Sequence, residues 1–396
     1  MTRRAPSFLR YAARVVYDCI IIGAGTMGVA AALALARRGA AVLAFDRDRV
    51  PNTASEHFGE ARLFRTAYYE HPAYVPLLGR ARQLWLRLND EAGRELYAET
   101  GAVYGSYAGG EVVPRSVEAA RRHGVPIEEL SLSRAEAKFE TLRFGADWTV
   151  AYEPRAGVLR PEAAVESMAR LAREAGATIG THEPVVSVTE TPDGIRVVTD
   201  RAQYAGRAGL VCAGAWSSGV LRVSGLDSPT ITASRQVIGW MKPEDPGRFA
   251  VGEHPCWAAE DGPGSLLYGF PVLPGAADFR VARHRLGPAC DPDVVDRAVS
   301  ATDVGDFEPG VRRHLVEPGV VSRAAIACYS NSADGHFLID RVPGRERVWV
   351  ASGFSGHGFK FAPVIGEVMA GLILDGRCGF DLTLFGAARF TPPSSR

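Results

Sequence analysis

Three observations predict an α/β fold made of two interleaved domains, one wound on parallel strands and one β-rich. Residues 17–46, YDCIIIGAGTMGVAAALALARRGAAVLAFD, read as strand, glycine turn, helix, strand. A second strand–glycine–helix unit closes the chain over 347–374. Between about 231 and 327 the pattern is mainly strands separated by Gly/Pro turns.

The opening unit carries the strongest local signal. Ile20–Ile22 is a short apolar run, Gly23, Gly25 and Gly28 follow as G-x-G-x-x-G, Gly39 stops the Ala/Leu-rich helix, and Val42–Phe45 leads into Asp46. Gly23 permits the tight turn, Gly25 lets backbone approach a pyrophosphate, and Gly28 lets the helix lie close on the sheet. Peptide N–H groups and the positive helix end then face the phosphates. Asp46 ends the second strand, where a carboxylate accepts from a ribose hydroxyl. This pattern implies a dinucleotide and does not separate FAD from NAD. The acid argues against a 2′-phosphate, hence against NADP.

Further along, 52–70 reads as a polar loop holding Arg62 and Arg65, and 74–88 has helical spacing at Leu77, Leu78, Leu84 and Leu86. A strand is expected over 100–107, and 113–140 looks helical in pieces. Pro161 opens a helix whose face holds Val165, Met168 and Leu171 and which Gly176 ends. Strands at 185–188 and 196–199 flank an Asp193–Gly194 hairpin signal. Another apolar strand, 209–213, runs into Gly214-Ala215-Trp216. In the β-rich part the first helix is expected at 293–299. The chain closes with a strand at 347–352, the turn GFSGHGFKFAP and a helix at 364–374.

Composition excludes several classes. Formal net charge is zero over 396 residues, so there is no bulk field for nucleic acid or an acidic membrane. No apolar run is long enough to span a bilayer, and the basic start MTRRAPSFLRYAARVV lacks an apolar core of a signal peptide. The six cysteines (Cys19, Cys212, Cys256, Cys290, Cys328, Cys378) are scattered without metal or disulfide spacing, which fits a reducing, cytoplasmic setting. Only Lys138, Lys242 and Lys360 are lysines among 45 basic residues, so a lysine in a suggestive place carries extra weight.

Four segments point to a family: GEARLFRTAY (Gly59–Tyr68), YGFP (Tyr268–Pro271), DGHFLID (Asp334–Asp340) and GFSGHGFKF (Gly353–Phe361). The chain resembles, from about Tyr17 to about Leu384, the monomeric sarcosine oxidase and N-methyltryptophan oxidase group of FAD-dependent amine oxidases, within the D-amino acid oxidase-like superfamily. L-pipecolate oxidase and an imine-oxidising antibiotic-biosynthesis enzyme belong to the same group. The resemblance implies a Rossmann-like FAD-binding domain (17–100, 155–230 and 335–390, after a tail at 1–16) interleaved with a β-rich substrate domain built on a mixed sheet (101–154 and 231–334). It implies FAD contacts from Gly23, Gly25, Thr26, Met27, Gly28, Asp46, Arg47, Arg62, Val185, Gly214, Trp216, Gly353, Gly356, His357, Gly358, Phe359 and Lys360. Arg65 and Lys360 match the two cations that hold the substrate carboxylate, and Tyr268, His284 and Tyr329 match positions lining the substrate cavity. Two cations toward one acid make a clamp, the guanidinium able to bind it bidentately. Lys360 also follows a glycine-rich turn at a helix start, where charge on a reduced flavin is stabilised. Taken singly, Arg65 reads as a solvated loop arginine, His284 as a structural histidine, and the tyrosines as core residues.

Two departures from the family pattern stand out. Members usually carry flavin on a cysteine thioether, but Arg323–Ser330 aligns to the family's R-G-A-V-C-M-Y-T with Ala327 at the cysteine position and Cys328 one residue on. Neighbours in a strand point to opposite faces, so non-covalent FAD is expected and a Cys328 linkage is disfavoured. Arg280 stands where a lysine implicated in oxygen activation is usual, and keeps the charge without the titratable amine. Phe58 replaces a histidine near the start of the arginine loop.

The expected function is FAD-dependent oxidation of the C–N bond of a small secondary or cyclic amino acid to an imine. Hydride equivalents pass to the flavin, and oxygen is the acceptor that yields peroxide. The alternatives are a biosynthetic flavin dehydrogenase or imine oxidase with another acceptor, and a flavoprotein subunit of a larger amine oxidase. A plain NAD module leaves GFSGHGFKF without a role. A monomer or small homo-oligomer is expected.

Overall fold

The computed structural model describes residues 10–390, with side chains from residue 16 onward. In chain order its strands are β1 (Arg10–Ile22), β2 (Val42–Phe45), β3 (Arg62–Phe64), β4 (Tyr97–Ala98), β5 (Ala102–Ser106), β6 (Glu128–Leu130), β7 (Thr149–Glu153), β8 (Gly157–Leu159), β9 (Thr178–Gly180), β10 (Val185–Thr191), β11 (Gly194–Thr199), β12 (Ala202–Val211), β13 (Thr232–Lys242), β14 (Cys256–Gly262), β15 (Ser265–Gly269), β16 (Phe279–His284), β17 (Val320–Asn331), β18 (Leu338–Arg341) and β19 (Val348–Ser352). The helices are α1 (Thr26–Ala36), α2 (Val75–Ala92), α3 (Val112–His123), α4 (Leu132–Lys138), α5 (Pro161–Glu174), α6 (Ser217–Val223), α7 (Ala301–His314) and α8 (Ala362–Asp375). The described residues fold into two compact units, residues 10–57, 165–233 and 329–390 forming one and residues 58–164 and 234–328 the other.

The first unit is built on a sheet of order β10-β11-β12-β1-β2-β9, with β19 on β12 and β18 on β19. β1 runs parallel to β2 and β12, and β12 parallel to β19. Register places Ile22 beside Phe45 and beside Val211, and Val211 beside Val350. Four parallel strands therefore end along one edge, the carboxyl edge at which open α/β sheets bind ligands. Buried aliphatics fill the core (Ile20, Leu43, Val197, Val211, Val348, Val350), which is why these strands read as apolar runs and not as alternation. α1 is apolar around most of its circumference because α8 packs on it: a Cβ at Gly366 would lie 2.4 Å from the Ala30 carbonyl oxygen.

The second unit holds a sheet of order β17-β13-β16-β15-β14-β5-β7-β6 and a small sheet β3-β8-β4. Its two sheet faces bury different clusters. Phe279 and Val281 pack with Trp257, Phe307 and Leu315, while Ala282, the next residue after Val281, packs with Ile238 and Trp240.

Three expectations need correction. β1 begins at Arg10, so only residues 1–9 of the expected tail remain, and these lie outside the described residues. Residues 58–100 fold with the second unit, because β3 and β4 both pair with β8. The first helix of the β-rich part is α7, not 293–299: Ser300 accepts from Asp303 N–H and the Asp303 carboxylate accepts back from Ser300, a capping box that starts the helix there. The region 113–140 is helical in pieces as expected, α3 and α4, with β6 between them.

Candidate active site

In the first unit the glycine turn has the shape the fingerprint demands. Gly23 lies at φ +97°, and a Cβ there would sit 2.6 Å from the Cys212 carbonyl oxygen. A Cβ at Gly28 would meet the Gly23 carbonyl at 1.9 Å, whereas nothing lies within 4 Å of one at Gly25. So two glycines allow close packing and the third leaves its backbone open to approach. No side chain caps α1 at Gly25, which leaves its first N–H groups available to an anion. Thr26 Oγ1 lies 3.4 Å from His57 Nδ1, and Met27 is buried. Asp46 sits at the end of β2, accepts from Asp48 N–H at 3.0 Å, and its carboxyl is pushed up to about 6, chiefly by burial.

The neighbouring strand ends complete the edge. Gly214 (φ +51°) opens the turn after β12, and the exposed Arg47 lies 5.2 Å over the Trp216 ring. Val185 opens β10 at the core margin. Ser352 Oγ, at the end of β19, donates to Ser217 Oγ at 2.8 Å. The turn that follows needs glycine twice: a Cβ at Gly356 (φ +76°) would lie 2.3 Å from the Tyr329 ring, and one at Gly358 2.4 Å from Phe354. Gly353 also has positive φ, +65°. His357 is fixed by Nε2 at 3.1 Å from Gly335 O, and Lys360 donates to His357 O at 2.8 Å from the short helical turn Phe359–Phe361. Lys360 is 6% exposed.

These features fit FAD, as an open backbone, uncapped helix N–H groups and a buried carboxylate at the carboxyl edge form a dinucleotide cradle.

In the second unit the arginine loop folds on itself. Arg62 donates to Ala61 O and Phe58 O, both at 2.7 Å. Glu162, in the first turn of α5, accepts from Gly59 N–H at 2.7 Å and from Glu60 N–H. Arg65 is 6% exposed, pairs with Glu70, and stacks 4.2 Å from Tyr68 and 4.6 Å from Tyr69. Burial opposes its charge, but Glu70 together with Tyr68, Tyr69 and Tyr104 more than offsets this and keeps it ionised. Arg280, Ala282 and His284 share one face of β16, and Tyr268 lies opposite Ala282 on β15. Arg280 donates to Ala61 O and lies 3.5 Å from Tyr268 Oη, while its buried Nε has no partner among the described residues. Phe58 packs against the Ile238–Trp240–Ala282 cluster beside Tyr268.

Thus Arg62, Arg280, Tyr268 and Phe58 come together in the second unit, with His284 on the same strand face. Lys360, Tyr329 and the glycine turns come together in the first. Glu70 and Glu162 escaped sequence reading, although Glu162 directly after Pro161 is a helix-start signal that pointed to it. Among the described residues no group of acidic, His or Cys side chains could hold a metal, and no helix is long and apolar enough to cross a membrane.

The model for the family described as DAO, FAD dependent oxidoreductase, matches residues 18–372. The chain belongs to that family. It is similar to a monomeric sarcosine oxidase of Streptomyces avermitilis, 37% identical over 378 residues that cover 94% of this chain and 97% of the other. It is also similar to an N-methyl-L-tryptophan oxidase of Yersinia pestis, 32% identical over 94% of this chain and 99% of that one. Among solved structures, NikD, an amino acid oxidase of nikkomycin biosynthesis, superposes with a TM-score of 0.81 at 22% identity, covering 94% of this chain and 97% of that one. Glycine oxidase from Geobacillus kaustophilus gives a TM-score of 0.80 at 21% identity, over 95% and 99% of the two chains. The fold is that of these flavoenzymes, and this DAO family chain is an FAD-dependent oxidoreductase.

Proposed function

We propose that the chain oxidises the C–N bond of a small secondary or cyclic amino acid (sarcosine, an N-methyl amino acid or a pipecolate-like acid) to an imine, with oxygen as acceptor and peroxide as product. Bound FAD supplies the two-electron acceptor. The observation that carries this reading is that Arg65 and Lys360, each 6% exposed, are buried cations in two of the four segments that carry the sarcosine oxidase resemblance. Arg65 already pairs with Glu70, and the substrate carboxylate is proposed as a further anion for the guanidinium and the Lys360 ammonium. The guanidinium binds it bidentately and the ammonium as a point charge, so that the α-carbon is held for transfer. His284 and Tyr268 orient the amine and keep its nitrogen neutral, so that two electrons and two protons can leave the C–N unit.

Non-covalent FAD belongs to the same proposal. Ala327 occupies the position of the family's cysteine, and the Sγ of its neighbour Cys328 lies 3.9 Å from that of Cys290, which gives Cys328 a different neighbour to face. None of the six cysteines is in a disulfide, which supports a cytoplasmic setting, and a monomer or small homo-oligomer is proposed.

The test is oxygen uptake and peroxide release with sarcosine, N-methyl amino acids and pipecolate, for the native chain and for Lys360→Met and Arg65→Met. One lost charge-assisted contact of about 1.5–3 kcal/mol raises KM about tenfold to a hundredfold with FAD retained. Unchanged KM in both variants removes the carboxylate assignment. Arg280 favours a second reading, a dehydrogenase or imine oxidase with another acceptor. Dye reduction without oxygen, together with no peroxide under air, would select it.

A further inference from the structure

We propose that Glu153 is a positioning residue for substrate binding, clasping the backbone directly after Arg65 so that the guanidinium is presented in one orientation. The inference rests on the reading that Arg65 holds a substrate carboxylate. Glu153 ends β7 and is 0% exposed. A carboxylate without water is costly unless every lone pair is used. Here the donors come from the arginine loop and one neighbour. Thr66 N–H donates to Oε1 at 2.7 Å, Ala67 N–H lies 3.3 Å from both oxygens, and Tyr104 Oη donates to Oε2 at 2.7 Å. Thr66 and Ala67 are the two residues that follow Arg65, and both are buried.

The arrangement separates two tasks. Glu70 and the Tyr68 and Tyr69 rings meet the guanidinium itself. Besides the Tyr104 hydroxyl, Glu153 hydrogen-bonds only the peptide N–H groups of Thr66 and Ala67, so it reaches Arg65 through the main chain and, without a hydrogen bond, through the attraction of the two charges. Arg65 Nη1 lies 3.5 Å from the Ala67 carbonyl, so the residue whose N–H faces Glu153 also has its carbonyl toward the guanidinium. Without the acceptor, two buried N–H groups lose their partner and the loop must turn to recover one. A shift of the chain at Thr66 moves the root of the Arg65 side chain, and small misplacements of a binding group are expensive.

The variants are made in the full, flavin-loaded chain. Glu153→Ala removes the acceptor. Glu153→Asp keeps the charge but withdraws it by one methylene. Glu153→Gln keeps an oxygen for Thr66 N–H, and the Tyr104 hydroxyl can turn to accept from the amide. Propionate binding is followed by the flavin absorbance change, KM and kcat by oxygen uptake with sarcosine, and backbone protection at 66–67 by hydrogen exchange. Glu153→Ala and Glu153→Asp are expected to weaken propionate and raise KM by about tenfold each, with faster exchange at 66–67 and a smaller change in kcat. Glu153→Gln is expected to restore propionate binding to within about threefold. Native propionate affinity in Glu153→Ala overturns the inference. If that variant does not fold, native affinity in Glu153→Asp overturns it, as does failure of Glu153→Gln to recover binding. Arg65→Met is run in parallel. If it too leaves propionate unaffected, the carboxylate reading itself has failed; if it alone weakens propionate, only the role of Glu153 is rejected.

Discussion

Burial raises the Asp46 carboxyl from 3.8 to about 6, against the opposing pull of the Asp48 and Ala24 N–H groups. Two consequences of opposite sign follow. In the apoprotein a raised carboxyl contributes stability that is complete below 3.8 and lost as pH rises through about 6. FAD binding runs the other way, because an ionised carboxylate is the stronger acceptor for a ribose hydroxyl. FAD affinity, measured by flavin fluorescence, is therefore expected to rise with pH through about 6, and Asp46→Asn to flatten that rise. An unchanged pH profile in the variant would remove Asp46 from the ribose. Asp46 was legible in the sequence because its spacing from the glycines is fixed by one strand–helix–strand unit. Glu70 and Glu153 were not, because their partners are side-chain and backbone groups set by loop and sheet geometry, with no motif of their own.

At the scale of elements, the turn between β19 and α8 is tightly constrained. A side chain at Gly356 would meet both the left-handed φ of +76° and the Tyr329 ring at 2.3 Å. Gly356→Ala is expected to cost about 1–3 kcal/mol, from the left-handed conformation and the displaced ring. Calorimetry would show this as a lower unfolding midpoint, and FAD affinity should fall with it. A native midpoint would mean that the turn can relax. The sequence made this turn legible because its glycines lie between an apolar strand and a helix. The helix expected at 293–299 failed for the converse reason. Its apolar spacing has no core to bury: Val294 is 79% and Val299 38% exposed, and the helix starts only where Ser300 and Asp303 supply the cap. Periodicity predicts a helix when something covers its face, and the capping residues carried the better signal.

For the whole molecule, the interleaving of two units was readable from the return of α/β segments at the end of the chain. The allocation of 58–100 was not, because β3 and β4 are short and pair with β8 about sixty residues or more away (Arg62↔Leu159, Tyr97↔Leu159), a long-range choice that local pattern does not encode. The first unit gathers its proposed FAD contacts from three separate stretches, around Gly23–Asp46, around Gly214 and around Gly353–Lys360. A ligand touching all three ties together segments that are otherwise far apart in the chain, and its binding energy adds to the stability of that unit. For non-covalent FAD the gain follows mass action: about 2.7 kcal/mol at a hundredfold excess over Kd. Stripping FAD by acid ammonium sulfate should therefore give a colourless protein whose unfolding midpoint is lower and climbs back as FAD is added, in step with its concentration. The yellow colour should appear in the supernatant after acid precipitation. Colour that stays in the pellet, with a midpoint indifferent to added FAD, would show a thioether to Cys328 and would require β17 to present that sulfur, and not Ala327, toward the flavin.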